Sequence, residues 1–283
     1  MSRDNKIIAV DADSLVYMAG YALRAMPEPE QTFKKAKVLI ASMLRKQFNY
    51  LIKNGRYKDF NIARMLETGN LRFYLTSTDK TNFRFKVATI QEYKSSRKDK
   101  DKPLFYHEIR EYLYDKWRAQ IVHGMEADDI LSILASQHPD DVTIVHVDKD
   151  LRQIPRCYHL EMNCERKIYY VNPTGILQLE RTTGGVAYLF ATGKAMVMSQ
   201  MITGDTTDDI PRLTKGYGPV KIYDLLTSIP PDQWESEIMN MYHKEFGVND
   251  GELRYHEVYK LVSLLTAENY QDEVKTIKIT KKA

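Results

Sequence analysis

Short β-rich runs at residues 7–10, 73–75, 120–122 and 142–147 alternate with stretches whose apolar residues recur at helical spacing, and this constrains the chain more than any other feature. The clearest predicted helix covers residues 31–53. There Phe33, Ala36, Leu39, Ile40, Met43, Leu44 and Leu51 share one face after the breakers Pro27 and Pro29. Strands separated by helices in this way predict an α/β fold, with a mostly parallel central sheet and helices on both faces. Residues 157–162 and 167–171 read as short strands completing the sheet. Beyond about residue 184 the pattern turns helical, at 186–201, 220–226, 233–246 and 253–265. The expected organisation is therefore an α/β core over 1–184 and a C-terminal helical module over 185–283.

In an open α/β sheet, ligands bind beyond the carboxyl ends of the strands. Here those positions are acidic. Asp11 and Asp13 follow the first strand, Asp79 the second, Glu126, Asp128 and Asp129 the third, and Asp148 and Asp150 the fourth. Each acid alone is explained by a cap or a turn: Asp13 and Asp128 suit helix starts, and Asp148 suits a turn. Helix capping predicts one acid per helix, however, and not pairs or triplets after four strands. Carboxylates gathered at one edge repel each other and raise each other's pKa, and bound cations relieve this. An all-oxygen set without His or Cys suits Mg²⁺ or Mn²⁺ better than Zn²⁺. A second acidic group, Asp205 and Asp208 with Asp209, follows Gly204 in the helical third.

Residues 80–102 carry eight basic side chains against three acidic ones, an excess of five in a chain whose formal net charge is only +3. Phe83, Phe85 and Tyr93 are interleaved with Arg84, Lys94, Arg97 and Lys98, a mixture suited to phosphate contacts and base stacking. Cys157 and Cys164 lack a supporting His/Cys cluster and read as reduced, buried thiols. His107, His123 and His146 show no ligand spacing and read as structural or surface residues. The N-terminal apolar run is too short for a secretion signal and no run is long enough to span a bilayer, so the expected location is cytoplasmic, without membrane partners.

Taken in order, Asp79, then Gly124-Met125-Glu126-Ala127-Asp128-Asp129, then Asp148-Lys149-Asp150, then Gly204-Asp205 with Asp208-Asp209-Ile210-Pro211 resemble the 5′-nucleases. These comprise flap endonucleases, bacteriophage 5′-3′ exonucleases and the 5′-nuclease domains of bacterial DNA polymerases. The resemblance runs from Ile7 to Leu226, and with Tyr93-Lys94-Ser95-Ser96-Arg97-Lys98 it is greatest to the stand-alone phage enzymes, for which the location would be the host cytoplasm. It implies a PIN-like nuclease core, a basic helical arch over about 80–117 and a helix-turn-helix beyond it. It further implies two Mg²⁺ ions, with Mn²⁺ as substitute. One ion falls to Asp11, Asp79, Glu126 and Asp128, and the other to Asp148, Asp150, Asp205 and Asp208, with Asp129 as a further ligand.

By the same resemblance Lys94 and Arg97 are catalytic contacts to the reacting phosphate, Tyr93 stacks on an unpaired base, and Arg84 and Lys98 bind DNA. In the helical third, Lys215, Gly216, Gly218 and Lys221 match the helix-turn-helix that holds duplex DNA and, in the family, K⁺. The implied activity is 5′-3′ exonuclease or flap endonuclease in phage DNA replication or degradation, by a monomer, on DNA with a 5′ end, flap or junction, and on RNA/DNA hybrids. The alternatives are a PIN-type ribonuclease, which would lack the Gly-Asp and Gly-x-Gly module, and a non-catalytic junction-binding protein. Two positions depart from the family pattern: Gln200 stands where many relatives have Lys or Arg, and Asp209-Ile210-Pro211-Arg212 replaces Asn-Ile-Pro-Gly, with an extra residue before Gly216.

Overall fold

The computed structural model describes residues 6–57, 60–97, 101–162, 168–274 and 277–281. Along the chain run β1 (Ile7–Asp11), α1 (Ala12–Arg24), α2 (Phe33–Lys53), α3 (Ile62–Glu67), β2 (Leu71–Thr76), α4 (Arg84–Val87), α5 (Tyr106–Trp117), β3 (Gln120–His123), α6 (Ala127–Gln137) and β4 (Val142–His146). There follow β5 (Cys157–Glu161), β6 (Ile168–Val171), β7 (Leu177–Arg181), β8 (Ala187–Ala191), α7 (Gly193–Thr203), α8 (Pro219–Ser228), α9 (Trp234–Phe246), α10 (Val248–Val262), α11 (Tyr270–Glu273) and β9 (Lys278–Thr280).

The expected sheet forms. Among the described residues it has seven strands in the order β6-β5-β4-β1-β2-β3-β9. From β5 to β3 every pairing is parallel, and the two outermost strands, β6 and β9, pair antiparallel with their neighbours. Strand β1 is apolar on both faces because both are covered: Ile8 and Val10 pack with α1, α2 and α5, while Ile7 and Ala9 pack with α6. Helix α2 is capped by the Thr32 hydroxyl, which accepts from the Lys35 N–H at 3.2 Å, and it buries Ala36, Ile40, Leu44 and Leu51 against that first face. A third core, built from α7 to α10, includes Met198, Met201, Trp234 and Tyr242.

Three expectations change. Residues 186–201 are not one helix: β8 pairs with β7 as a hairpin, and α7 begins at Gly193. The break lies where Gly193, at φ +56°, passes so close to Asn172 and Gly175 that a Cβ would meet their backbone at 2.8 Å. Second, the division at residue 184 falls in the hairpin turn, and β9 returns from beyond the helices to pair with β3, so the end of the described chain belongs to the core sheet.

Third, the region expected as an arch over 80–117 is not one continuous helical stretch among the described residues: α5 forms its later part. Residues 84–97 form a strap of one short helix and a single turn of 3₁₀ helix, docked on the helical module. Glu257 of α10 holds it by accepting from the Thr89 and Ile90 N–H groups at 2.7 and 2.8 Å and from the Thr89 hydroxyl. No helix among the described residues is long and apolar enough to cross a membrane. Cys157 is buried and unbridged, and Cys164 lies outside the described residues.

A candidate metal centre at the carboxyl edge of the sheet

Because β1 to β4 run parallel, the acids that follow them meet at one edge. Asp11, Asp79, Glu126, Asp128 and Asp148 line a cavity of about 490 Å³, together with Lys94 and Arg97. A smaller adjoining space is lined by Asp148, Asp150, Gln200, Asp205 and Asp208. Local structure aims each side chain. Asp11 caps α1, accepting from Asp13 and Ser14 N–H groups at 3.0 and 3.3 Å, and Glu126 occupies the N-cap of α6. Asp148 caps the 3₁₀ turn at Lys149–Gln153, accepting from the Asp150 N–H at 2.9 Å. Gly204 is required before Asp205: a Cβ there would lie 2.3 Å from the Ile210 carbonyl, where Asp205 and Ile210 form a reciprocal backbone pair.

The charge distribution is that of a cation site. Burial, then Asp13 and Asp148, push the Asp11 carboxyl up to about 7. Burial and Asp148 push Asp150 up to about 7, and burial with Asp11 and Asp148 takes Asp128 well above the carboxylate range. At Glu126 and Asp205 side-chain cations reverse the direction, whereas burial keeps Asp208 raised although Lys94 and Arg97 stand beside it. Burial alone would raise Glu126, but Lys94 and Arg84 outweigh it and hold the group down at about 2. Lys149, 2.8 Å from Asp205, likewise outweighs burial and lowers Asp205. Lys94 also lies 3.4 Å from Asp208, which pairs with Arg97 too. With these cations interposed, no three His, Cys, Asp or Glu side chains among the described residues stand close enough together to enclose an ion as they are.

Gln200 tests whether the residues suit a divalent ion. It is 7% exposed, its amide donates to Asp150 Oδ1 at 2.8 Å, and its Oε1 is buried without a hydrogen-bond partner among the described residues. A stranded neutral oxygen beside mutually repelling carboxylates lacks a cation or a cation's water. The residues fit.

Several assigned residues lie elsewhere or are already engaged. Asp129 is not at the metal edge: it is fully buried, both its oxygens bind the Arg84 guanidinium at 2.6 and 2.8 Å, and it also accepts from the Glu126 and Leu265 N–H groups. Arg84 is correspondingly withdrawn from DNA, since it is 1% exposed and also donates to the Leu261 and Ser263 carbonyls. Tyr93 is no stacking platform here. Its ring is buried in the helical module's core, and its hydroxyl donates to Asp208 at 2.9 Å. Lys98 lies outside the described residues. Lys215, Gly216, Gly218 and Lys221 are exposed on the loop and first turn of α8 and line neither acid-lined space.

Other side chains at the site were not expected. Tyr17, 43% exposed, and Tyr106 line the cavity beside Arg110, which holds Asp13 at 2.8 Å. His123, read as structural or surface, bonds Asp79 at 2.6 Å. Tyr17 on α1 and Tyr106 on α5 meet edge to face, their ring centroids 6.0 Å apart.

No protein-family model matches the chain. Over 140 residues it is 29% identical to an exodeoxyribonuclease of Enterobacteria phage T3, a match covering 47% of this chain and 40% of that relative. The match thus spans well under half of the relative's length. Among solved structures, a T5 protein co-crystallised with metal ions superposes with a TM-score of 0.58 at 15% identity, covering 95% of this chain and 92% of the other. The T5 5′-exonuclease with divalent zinc bound gives 0.54 at 16% identity, with the same coverage. The parallel sheet, its acid-lined carboxyl edge and these superpositions together give the chain the fold of the phage 5′-nucleases.

Proposed function

We propose that the protein is a divalent-metal-dependent nuclease that hydrolyses phosphodiester bonds at DNA 5′ ends. The observation that carries this reading is the convergence of acids from the ends of β1, β2, β3 and β4 and from the α7–α8 loop on one cavity and the smaller space adjoining it, where bound cations would relieve their mutual repulsion. Asp11, Asp79, Glu126 and Asp128 would hold one Mg²⁺, and Asp148, Asp150, Asp205 and Asp208 the other, with Gln200 Oε1 facing the second. When bound, such ions activate a water and neutralise charge on the attacking and leaving oxygens.

The remaining work falls to the chain. Lys94 and Arg97 neutralise Glu126 and Asp208 here. Once those acids are engaged by metal, the two side chains are free to grip the reacting phosphate, Lys94 as a point charge and Arg97 through paired N–H groups. Tyr17 and Tyr106 take over the stacking role that burial denies Tyr93. Lys215 and Lys221, with the Gly216 to Gly218 loop as the K⁺ position, hold duplex phosphates without reading sequence. The phage T3 relative named as an exodeoxyribonuclease supports DNA as substrate.

The test is cleavage of 3′-labelled blunt duplex, 5′-flap and RNA/DNA hybrid with Mg²⁺, with EDTA as control and Asp148→Asn as the site variant. The wild type should cut at least one DNA substrate. Asp148→Asn should lose about a thousandfold or more in rate while still binding DNA. Turnover unaffected by EDTA or by Asp148→Asn would refute the assignment.

A further inference from the structure

A carboxylate offers about four acceptor positions, two on each oxygen. On Asp79, Oδ1 accepts from the Thr81 N–H at 3.0 Å and from the Thr81 hydroxyl at 2.6 Å, which fills it. Oδ2 accepts from His123 Nδ1 at 2.6 Å, and the Ser77 hydroxyl also bonds the carboxylate, so the orientation of Asp79 is fixed from several sides. Asp79 sits on the loop after β2 with its side chain 37% exposed, and the imidazole on β3 fixes the direction in which its Oδ2 faces. The end of β3 holds this loop a second time, through the Gly124 N–H donated to the Thr81 hydroxyl oxygen at 2.9 Å.

His123 is itself held from outside the nuclease edge. Its Nε2 lies 3.0 Å from the Thr280 hydroxyl on β9, where Val122 pairs with Ile279 and His123 with Lys278. Since Asp79 requires a hydrogen on Nδ1, a neutral imidazole presents a lone pair at Nε2, to which the Thr280 hydroxyl donates. An imidazolium would instead donate to the Thr280 oxygen, so this hydroxyl fixes the ring in either state. Partners of this kind, one bond removed from a metal, orient the ligand and tune its affinity.

We infer that His123 is a positioning residue of the metal site, acting through Asp79, and that Thr280 of β9 completes it, so that the last described strand governs divalent-ion affinity. This rests on Asp79 being a metal ligand, as proposed above. The test titrates Mn²⁺ calorimetrically into the full chain without DNA and, in parallel, measures the Mg²⁺ concentration giving half-maximal cleavage. His123→Ala should weaken Mn²⁺ binding by about 10- to 100-fold and raise the Mg²⁺ requirement in proportion, with kcat at saturating metal much less affected. His123→Asn, whose amide can donate in place of Nδ1–H, should recover most of the loss. Thr280→Val should weaken binding in the same direction and Thr280→Ser should not.

In an Asp79→Asn background, His123→Ala should cost nothing further, whereas a purely structural histidine would cost as much as before. Wild-type binding and cleavage together with an unchanged Mn²⁺ affinity in His123→Ala and Thr280→Val would overturn this inference alone. A wild type that neither binds Mn²⁺ nor cleaves would overturn the nuclease reading, and this inference with it. Should His123→Ala fail to fold, the Thr280 pair and His123→Asn decide the matter.

Discussion

Arg84 and Asp129 form an ion pair that is almost fully removed from water, and each makes further hydrogen bonds, the guanidinium to the Leu261 and Ser263 carbonyls and the carboxylate from the Leu265 N–H. Breaking one partner strands the other, so Arg84→Ala or Asp129→Ala should each destabilise by about 3–5 kcal/mol, read as a fall in the urea midpoint. The paired replacement Arg84→Met with Asp129→Leu should cost clearly less than the sum of the two. From sequence alone Asp129 could not be separated from Asp128, because adjacent acids at a helix start look alike. Only burial shows that Asp128 faces the cavity while Asp129 serves the fold.

Behind β4, His159 stacks on Tyr169 and meets His146 at 3.1 Å. Burial, then His146, hold its pKa down at about 3, against an ordinary 6.5. The folded state therefore binds fewer protons than the unfolded chain, and this contribution to stability, complete above pH 6.5, is lost as pH falls from there toward 3. His159→Phe should flatten that decline. Relative to the variant, the wild type should lose on the order of 2 kcal/mol between about pH 6.5 and 5, as measured by urea unfolding at each pH.

At the scale of elements, residues 84–97 show most clearly what periodicity misses. Helices α2, α6, α8 and α9 were legible because one apolar face repeats at helical spacing, and strands β1 to β4 because they are short β-rich runs alternating with helical stretches. The strap has no such period, and its conformation is set by partners far along the chain, Glu257 and Asp208. Strand β9 was missed for a similar reason, since three residues carry no measurable alternation. The acids at the strand ends needed only connectivity to be found, whereas the buried roles of Arg84 and Tyr93 needed the packing. Glu257→Ala removes the acceptor for two N–H groups and a hydroxyl. It should loosen the strap by about 1–3 kcal/mol, seen as faster amide exchange confined to residues 88–97 while the global unfolding midpoint moves little.

For the whole molecule, the unneutralised acids oppose folding when metal is withheld. Asp11 and Asp150, raised to about 7, keep their protons in the fold at low pH, and the unfolded chain releases them near 3.8. As pH rises between these values the metal-free fold loses stability, and divalent ions, which bind the deprotonated groups, restore it. The gain in Tm from saturating Mg²⁺ should therefore be larger at about pH 8 than at about pH 5. An equal gain at both would mean that these carboxylates do not hold the ion.

The return of β9 to β3 changes how the helices relate to the sheet. The helical module lies between two strands of one sheet, so in topological terms it is an insertion and not an appendage. A single cut in the loop before α8 leaves each piece holding part of the other's structure, and the halves should stay associated. Exchanging the module between relatives would take two crossovers, one on each side of it. A simple fusion at residue 184 would split the β7–β8 hairpin and leave the outer edge of β3 bare.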